Sequence, residues 1–174
     1  MKDMKQVVVH HLKKLNIKKK DKLVIYSNLS SFGLKSKKIA NLVLTEIKKI
    51  LGPKGTLIMP TYILGVTPDF IFDYKKIHNS SSISNLAKHF FKQKNIIRSM
   101  NPIHSHIGLG KAAKFLKISK YKSSYGINSD FYFMKKKKFK LILLGCEPMQ
   151  GVTYLHHLEC LLKVPYRKWI KIKK

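Results

Sequence analysis

The chain has 174 residues, of which 36 are Lys or Arg and 8 are Asp or Glu, so its formal charge is +28 with histidine neutral. That length suits one domain, and 44% hydrophobic residues with 10% aromatics exclude a wholly disordered basic tail. No stretch approaches the ~20 apolar residues of a membrane span, and the N-terminus lacks the apolar core of a signal peptide. Two cysteines, Cys146 and Cys160, cannot make a disulfide framework, so the expectation is a cytoplasmic protein with no membrane partner.

Only Arg98 and Arg167 are arginines, which leaves 34 of the 36 basic residues as lysine. Readers of base edges and phosphates lean on the arginine fork, and no recognition module accompanies the charge, so no specific nucleic-acid partner is expected. Runs such as Lys18-Lys19-Lys20 and Lys135 to Lys138 suit solvated loop or helix ends. The excess charge still favours an anionic ligand such as a phosphorylated cofactor.

Along the chain, Val8, Leu12 and Leu15 recur at helical spacing within residues 4–15, and Asp21 opens a turn into the strand-like run LVIYS at 23–27. The small, polar segment NLSSFG follows. An amphipathic helix over 39–51 is ended by Gly52-Pro53, and a second strand is expected at 56–60. This β–α–β unit calls for parallel strands covered by helices. Residues 62–81 read as loop, 82–92 as a capped helix, 98–110 as extended, 111–117 as a helix and 140–145 as a strand. A last helix is expected over 152–162, stopped by Pro165. No repeat or interior linker divides the chain, and the whole is read as a single domain over 1–174.

The last helix carries Thr153, His156 and Glu159 at intervals of three, so they share a face. A carboxylate beside an imidazole orients it and raises its basicity, which makes His156 with Glu159 a candidate general base. The same spacing also suits capping and surface residues. His157 points elsewhere and reads as neutral packing. His104 and His106 are expected on one face of a strand, but nothing brings them to His156 and Glu159, so no metal site is assigned. GLGKAAK lacks the P-loop spacer and its Ser or Thr, whereas NLSSFG directly follows a strand and suits a phosphate-accepting turn.

Taken in order, SNLSSFG, LGPKGTLIMPTY, RSMNPIHSHIGLGKAA, LILLGCEPMQGVTYLHHLE and VPYR resemble the aminoglycoside 3-N-acetyltransferase (antibiotic N-acetyltransferase) family over about residues 21–167. The resemblance implies an α/β fold with a mixed, largely parallel central sheet and helices on both faces. It implies acetyl-CoA as acyl donor, an amine of an aminoglycoside or amino sugar as acceptor, and no metal. Carried over by position, His156 would be the base, Glu159 its orienting partner and Thr153 a hydroxyl beside them. Attack on the thioester would be direct, with no role for Cys146 or Cys160. Asn28, Leu29, Ser31, Phe32 and Gly33 match the turn that holds the CoA pyrophosphate and pantetheine. Thr61 stands beside that turn, and Arg98, Ser99, His104 and Ser105 match the block lining the donor tunnel.

The chain departs from the family at Tyr26, Ser27, Asn28 and Leu29, where His-x-Ser-Leu is usual, and at Asn101, where a histidine before proline is frequent. Asp69, Asp73, Asp130 and Glu147 are the candidate carboxylates for a cationic acceptor. The family continues beyond VPYR, which implies that the C-terminal portion is missing. A catalytically silent binding or partner-dependent protein, or a homo-oligomer, is the alternative this implies.

Overall fold

A computed structural model describes residues 2–32, 37–65, 70–77, 80–118, 123–151 and 153–168, with the side chains of residues 2, 3, 32 and 150 left aside. The helices are α1 (Lys2–Lys14), α2 (Lys37–Leu51), α3 (Asn85–Phe91), α4 (Asp130–Lys136) and α5 (Thr153–Leu162). The strands are β1 (Lys22–Ser27), β2 (Thr56–Pro60), β3 (Ile97–Arg98), β4 (His106–Leu109) and β5 (Lys140–Leu144). They form one sheet in the order β3-β4-β2-β1-β5.

The expected β–α–β unit is present, with β1 and β2 parallel and Val24 opposite Ile58. β5 adds parallel to the other side of β1, while β4 and β3 extend the sheet antiparallel beyond β2. The fold is therefore the mixed α/β architecture that the sequence implied. Period-two alternation divides each central strand between two cores. Leu23, Ile25, Leu57 and Met59 pack with α1, α2 and α3 on one face. Val24, Tyr26 and Ile58 pack with α4 and the turn at 111–117 on the other. A mixed sheet covered on both faces explains why β1 and β2 are almost continuously buried.

Three expectations change in detail. Residues 98–110 are not one strand: β3 and β4 form an antiparallel pair around a bend. Residues 111–117 wind as a 3-10 helix rather than an α-helix. α4 has no clear signal in the sequence, because its seven residues run into the lysines that follow. Ser129 caps it by accepting a hydrogen bond from the Tyr132 N–H, and Phe131 and Met134 bury one face. Gly110, at φ 109°, brings its backbone so close to Gly55 that an added Cβ would lie 2.4 Å from the Gly55 carbonyl oxygen. No helix among the described residues is long and apolar enough to cross a membrane.

Candidate functional site

The topology itself designates a crevice. From β1 the chain leaves toward α2 on one face, and from β5 it leaves toward α5 on the other. In open α/β sheets such a reversal between neighbouring parallel strands leaves a ligand-accepting gap at their carboxyl ends. Asn28 N–H bonds the Leu144 carbonyl at 2.9 Å, and the Ser31 hydroxyl donates to the Gly145 carbonyl at 2.7 Å, which ties together the turns after β1 and β5. Asn28 Oδ1 accepts from the Ser30 N–H at 3.2 Å, and Leu29 is buried beneath the turn. Phe32 closes the 3-10 turn Leu29–Phe32, and Gly33 lies outside the described residues.

α5 begins at this same end. His156 Nδ1 lies 2.9 Å from Glu159 Oε2, the pairing expected for residues three apart on a helix. Arg167, to which the sequence assigned no role, donates from Nε to the same carboxylate oxygen at 2.8 Å, and its Nη2 lies 2.8 Å from His156 Nδ1. A single ring nitrogen cannot donate to Glu159 and accept from Arg167 at once. The tautomer protonated on Nδ1 satisfies the carboxylate and leaves Nε2 as a free lone pair, which is the form a base requires. The bond from His156, and then that from Arg167, hold the Glu159 carboxyl below its ordinary range. It therefore stays charged as pH falls.

Thr153 sits at the first turn of α5, while burial, partly offset by Tyr62, pushes the Tyr26 hydroxyl of β1 well above its ordinary range. The ring of Tyr125 stands edge-on to His156, with centroids 5.8 Å apart, and its hydroxyl contacts His104 Nε2 at 2.9 Å. His104 is thereby placed near His156, although it lies in the bend before β4 and not on the strand with His106. Asn101 Oδ1 makes that bend by accepting from the N–H groups of Ile103 and His104. Burial first, then the neighbouring His106 and His156 rings, push the His104 imidazole down to about 4.

This shift predicts a pH-dependent stability. Between pH ~6.5 and ~4 the unfolded chain binds a proton at His104 that the folded chain refuses, so stability falls as pH falls across that window. Allowing for partial solvent screening, the loss is on the order of 2 kcal/mol. Thermal melts of the chain and of His104→Gln from pH 7 to 4 check it, because the variant should have a flatter profile.

The remaining donor-tunnel candidates are interior. Arg98 is 7% exposed, with Nε and Nη2 donating to Ser105 Oγ at 3.3 and 3.1 Å, and its Nη1 bonds the Lys76 carbonyl. Its guanidinium also lies over the Phe72 ring at 4.9 Å. Ser105 Oγ donates to the Thr61 carbonyl at 3.0 Å, and the Thr61 hydroxyl returns to the Ser105 carbonyl at 3.1 Å. Ser99 is fully buried and donates to Asp130 at 2.7 Å. The Thr61–Ser105 pair ties segment 98–106 to the end of β2, while Arg98 and Ser99 bond within the segment and to Lys76 and Asp130. Asp130, a candidate lining for a cationic acceptor, is instead 1% exposed inside the protein. Asp73 lies near Lys76 at 3.7 Å, Glu147 is exposed, and Asp69 lies outside the described residues. His157 packs as expected: it is buried, stacks on Phe131 and accepts from the Gly126 N–H at 3.1 Å. No cluster of three or more potential metal ligands occurs among the described residues.

A model of the family described as aminoglycoside 3-N-acetyltransferase matches residues 24–174. Among solved structures, the YokD protein from Bacillus subtilis superposes with a TM-score of 0.80 at 21% identity, over 94% of this chain and 72% of its own. The aminoglycoside acetyltransferase AAC(3)-Xa gives 0.78 at 21% identity, over 90% of this chain and 61% of its own. AAC-IIIb, solved as a binary complex with CoASH, gives 0.76 at 20% identity, over 90% of this chain and 64% of its own. The chain thus spans less than two thirds of the length of the last two. No curated protein matches the sequence.

Proposed function

The chain belongs to the aminoglycoside 3-N-acetyltransferase family, and from that premise we propose that it transfers the acetyl group of acetyl-CoA to an amine of an aminoglycoside or amino sugar. The observation that carries this reading is the contact of His156 Nδ1 with Glu159 Oε2 at 2.9 Å, on a helix that starts at the carboxyl end of the parallel strands. With Nδ1–H given to Glu159, His156 Nε2 takes a proton from the acceptor amine as its nitrogen attacks the thioester carbonyl. The new C–N bond forms, the C–S bond breaks, and the thiolate of CoA leaves with a proton available from the imidazolium. No acyl-enzyme is formed, so Cys146 and Cys160 stay outside the reaction. Burial pushes both thiols up, away from the nucleophilic thiolate form.

The turn over Asn28, Leu29, Ser31, Phe32 and Gly33 is proposed to face the CoA pyrophosphate across the crevice between β1 and β5. The lysine excess favours that polyanion. Thr61, Arg98, Ser99, His104 and Ser105 are proposed to shape the donor side through the packing of segment 98–106. Titration of the intact chain with acetyl-CoA is expected to give saturable binding, followed by thiol release on addition of an aminoglycoside. An intact, folded chain that binds no CoA contradicts the reading.

A second reading, a catalytically silent binding protein or homo-oligomer, is favoured by the apolar side chains that β5 and α5 expose. Leu141 is 44%, Leu155 49% and Leu162 76% exposed. Light scattering that finds a stable oligomer, with no thiol release, would favour it.

A further inference from the structure

Two side chains beside His156, those of Tyr125 and His104, enter no step of the reaction described above. The turn that carries Tyr125, between the 3-10 helix at 111–117 and α4, is fixed on both sides of that residue. Gly126 N–H donates to His157 Nδ1 of α5 at 3.1 Å, and Asn101 Nδ2 donates to Ser124 Oγ at 3.4 Å. Between these anchors the Tyr125 ring meets the His156 ring with centroids 5.8 Å apart and planes 76° apart, and it packs on Phe131 at 5.5 Å. The Tyr125 hydroxyl lies 2.9 Å from His104 Nε2. Either atom can donate in that bond, so the ring of Tyr125 is held whichever tautomer His104 adopts.

His104 is a poor choice for stability alone. The bend at 101–104 uses its backbone N–H, which donates to Asn101 Oδ1 at 2.8 Å. The imidazole is half-buried, and its Nδ1 is closed off from solvent with no hydrogen-bond partner among the described residues. A buried polar atom left in this way costs free energy that an apolar side chain would not. Departures of this kind concentrate at functional sites, and the bond that the imidazole does make is to Tyr125.

The base needs such support. Glu159 and Arg167 meet His156 only at Nδ1, and the torsion that turns an imidazole about its own stem is broad. Tyr125 meets the ring itself. An edge-on aromatic pair favours one ring orientation by about two- to tenfold. We infer that Tyr125 is a positioning residue for acetyl transfer: its ring fixes the plane of the His156 imidazole, and His104 holds that ring in place through the Tyr125 hydroxyl. His104 thereby serves the base as well as the donor side. The catalytic use of this arrangement rests on the acetyl-transfer reading; the arrangement of the three rings does not.

The test begins with NMR of the intact chain carrying 13C-labelled histidine, in which His156→Ala assigns the His156 ring signals. Nuclear Overhauser contacts between the ring hydrogens of Tyr125 and His156 are expected in the unaltered chain. Tyr125→Leu should move the His156 signals toward those of an exposed histidine, and Tyr125→Phe, which keeps the ring, should move them less. Absence of the ring contacts, or His156 signals indifferent to Tyr125→Leu, overturns the inference whether or not the chain transfers acetyl.

In the transfer assay, Tyr125→Leu is expected to lower kcat about tenfold with KM for acetyl-CoA changed less than about twofold, and Tyr125→Phe to lower kcat about threefold. His104→Leu should match Tyr125→Phe, and the two together should cost no more than either alone. An unchanged kcat in Tyr125→Leu, an effect confined to KM, or full additivity of Tyr125→Phe with His104→Leu overturns the positioning role. If the unaltered chain transfers nothing while the ring contacts are as expected, the acetyl-transfer reading fails, and with it the catalytic use, while the arrangement of the rings stands.

Discussion

His156→Ala is expected to lower acetyl transfer about a hundred- to ten-thousand-fold, the range over which a positioned general base acts, with acetyl-CoA affinity changed little. The split follows from placement. His156 lies on α5 beside Glu159 and Arg167, whereas the turn proposed to meet the CoA pyrophosphate follows β1. Glu159→Gln is expected to cost less, because the amide still occupies the site but no longer requires Nδ1 to carry the hydrogen. The His156 bond and the Arg167 contact depress the Glu159 carboxyl, so a fall in activity at acid pH does not arise from protonation of Glu159. Rates of thiol release, set beside calorimetric titration with acetyl-CoA, separate the two effects.

Arg98→Ala is expected to destabilise the fold by about 3 to 5 kcal/mol, as loss of a large buried side chain and of several buried hydrogen bonds does. The cost is traceable to particular partners. Ser105 Oγ and the Lys76 carbonyl lose their donor, and the rings of Phe72 and Phe91 lose the guanidinium against them. Burial lowers the Arg98 guanidinium to about 10, which leaves it charged at neutral pH. Arg98→Lys should recover little, since an ammonium cannot make the planar fork contact and stack on the rings together. Chemical denaturation of the three proteins checks both statements. A change in stability below about 1 kcal/mol for Arg98→Ala contradicts this account of segment 98–106.

The parts of the fold legible in the sequence were those governed by short-range periodicity. β1 and β2 were marked by buried runs between turns, α2 by its apolar stripe and Gly52 stop, and α5 by the segment before Pro165. The Thr153, His156 and Glu159 spacing was likewise readable, because a helix converts an interval of three into contact. The bend at 101–104 was not, since it depends on Asn101 Oδ1 capping two N–H groups inside an otherwise strand-like run. α4 was obscured by the lysines that follow it. The buried contacts that join Asp130 to His106, His106 to Tyr62 and Tyr62 to Tyr26 had no local signature at all. Their members come from four segments that only the sheet order brings together. Arg167 was visible as one of two arginines, but its place on Glu159 required the turn after α5.

The most direct measurement is mass spectrometry of both small molecule and protein after incubation of the intact chain with acetyl-CoA and a neomycin-type aminoglycoside. Direct transfer through His156 predicts an aminoglycoside carrying one added acetyl group, a protein of unchanged mass, and no product from His156→Ala. An acetylated protein intermediate, or product formed equally well by His156→Ala, would contradict it.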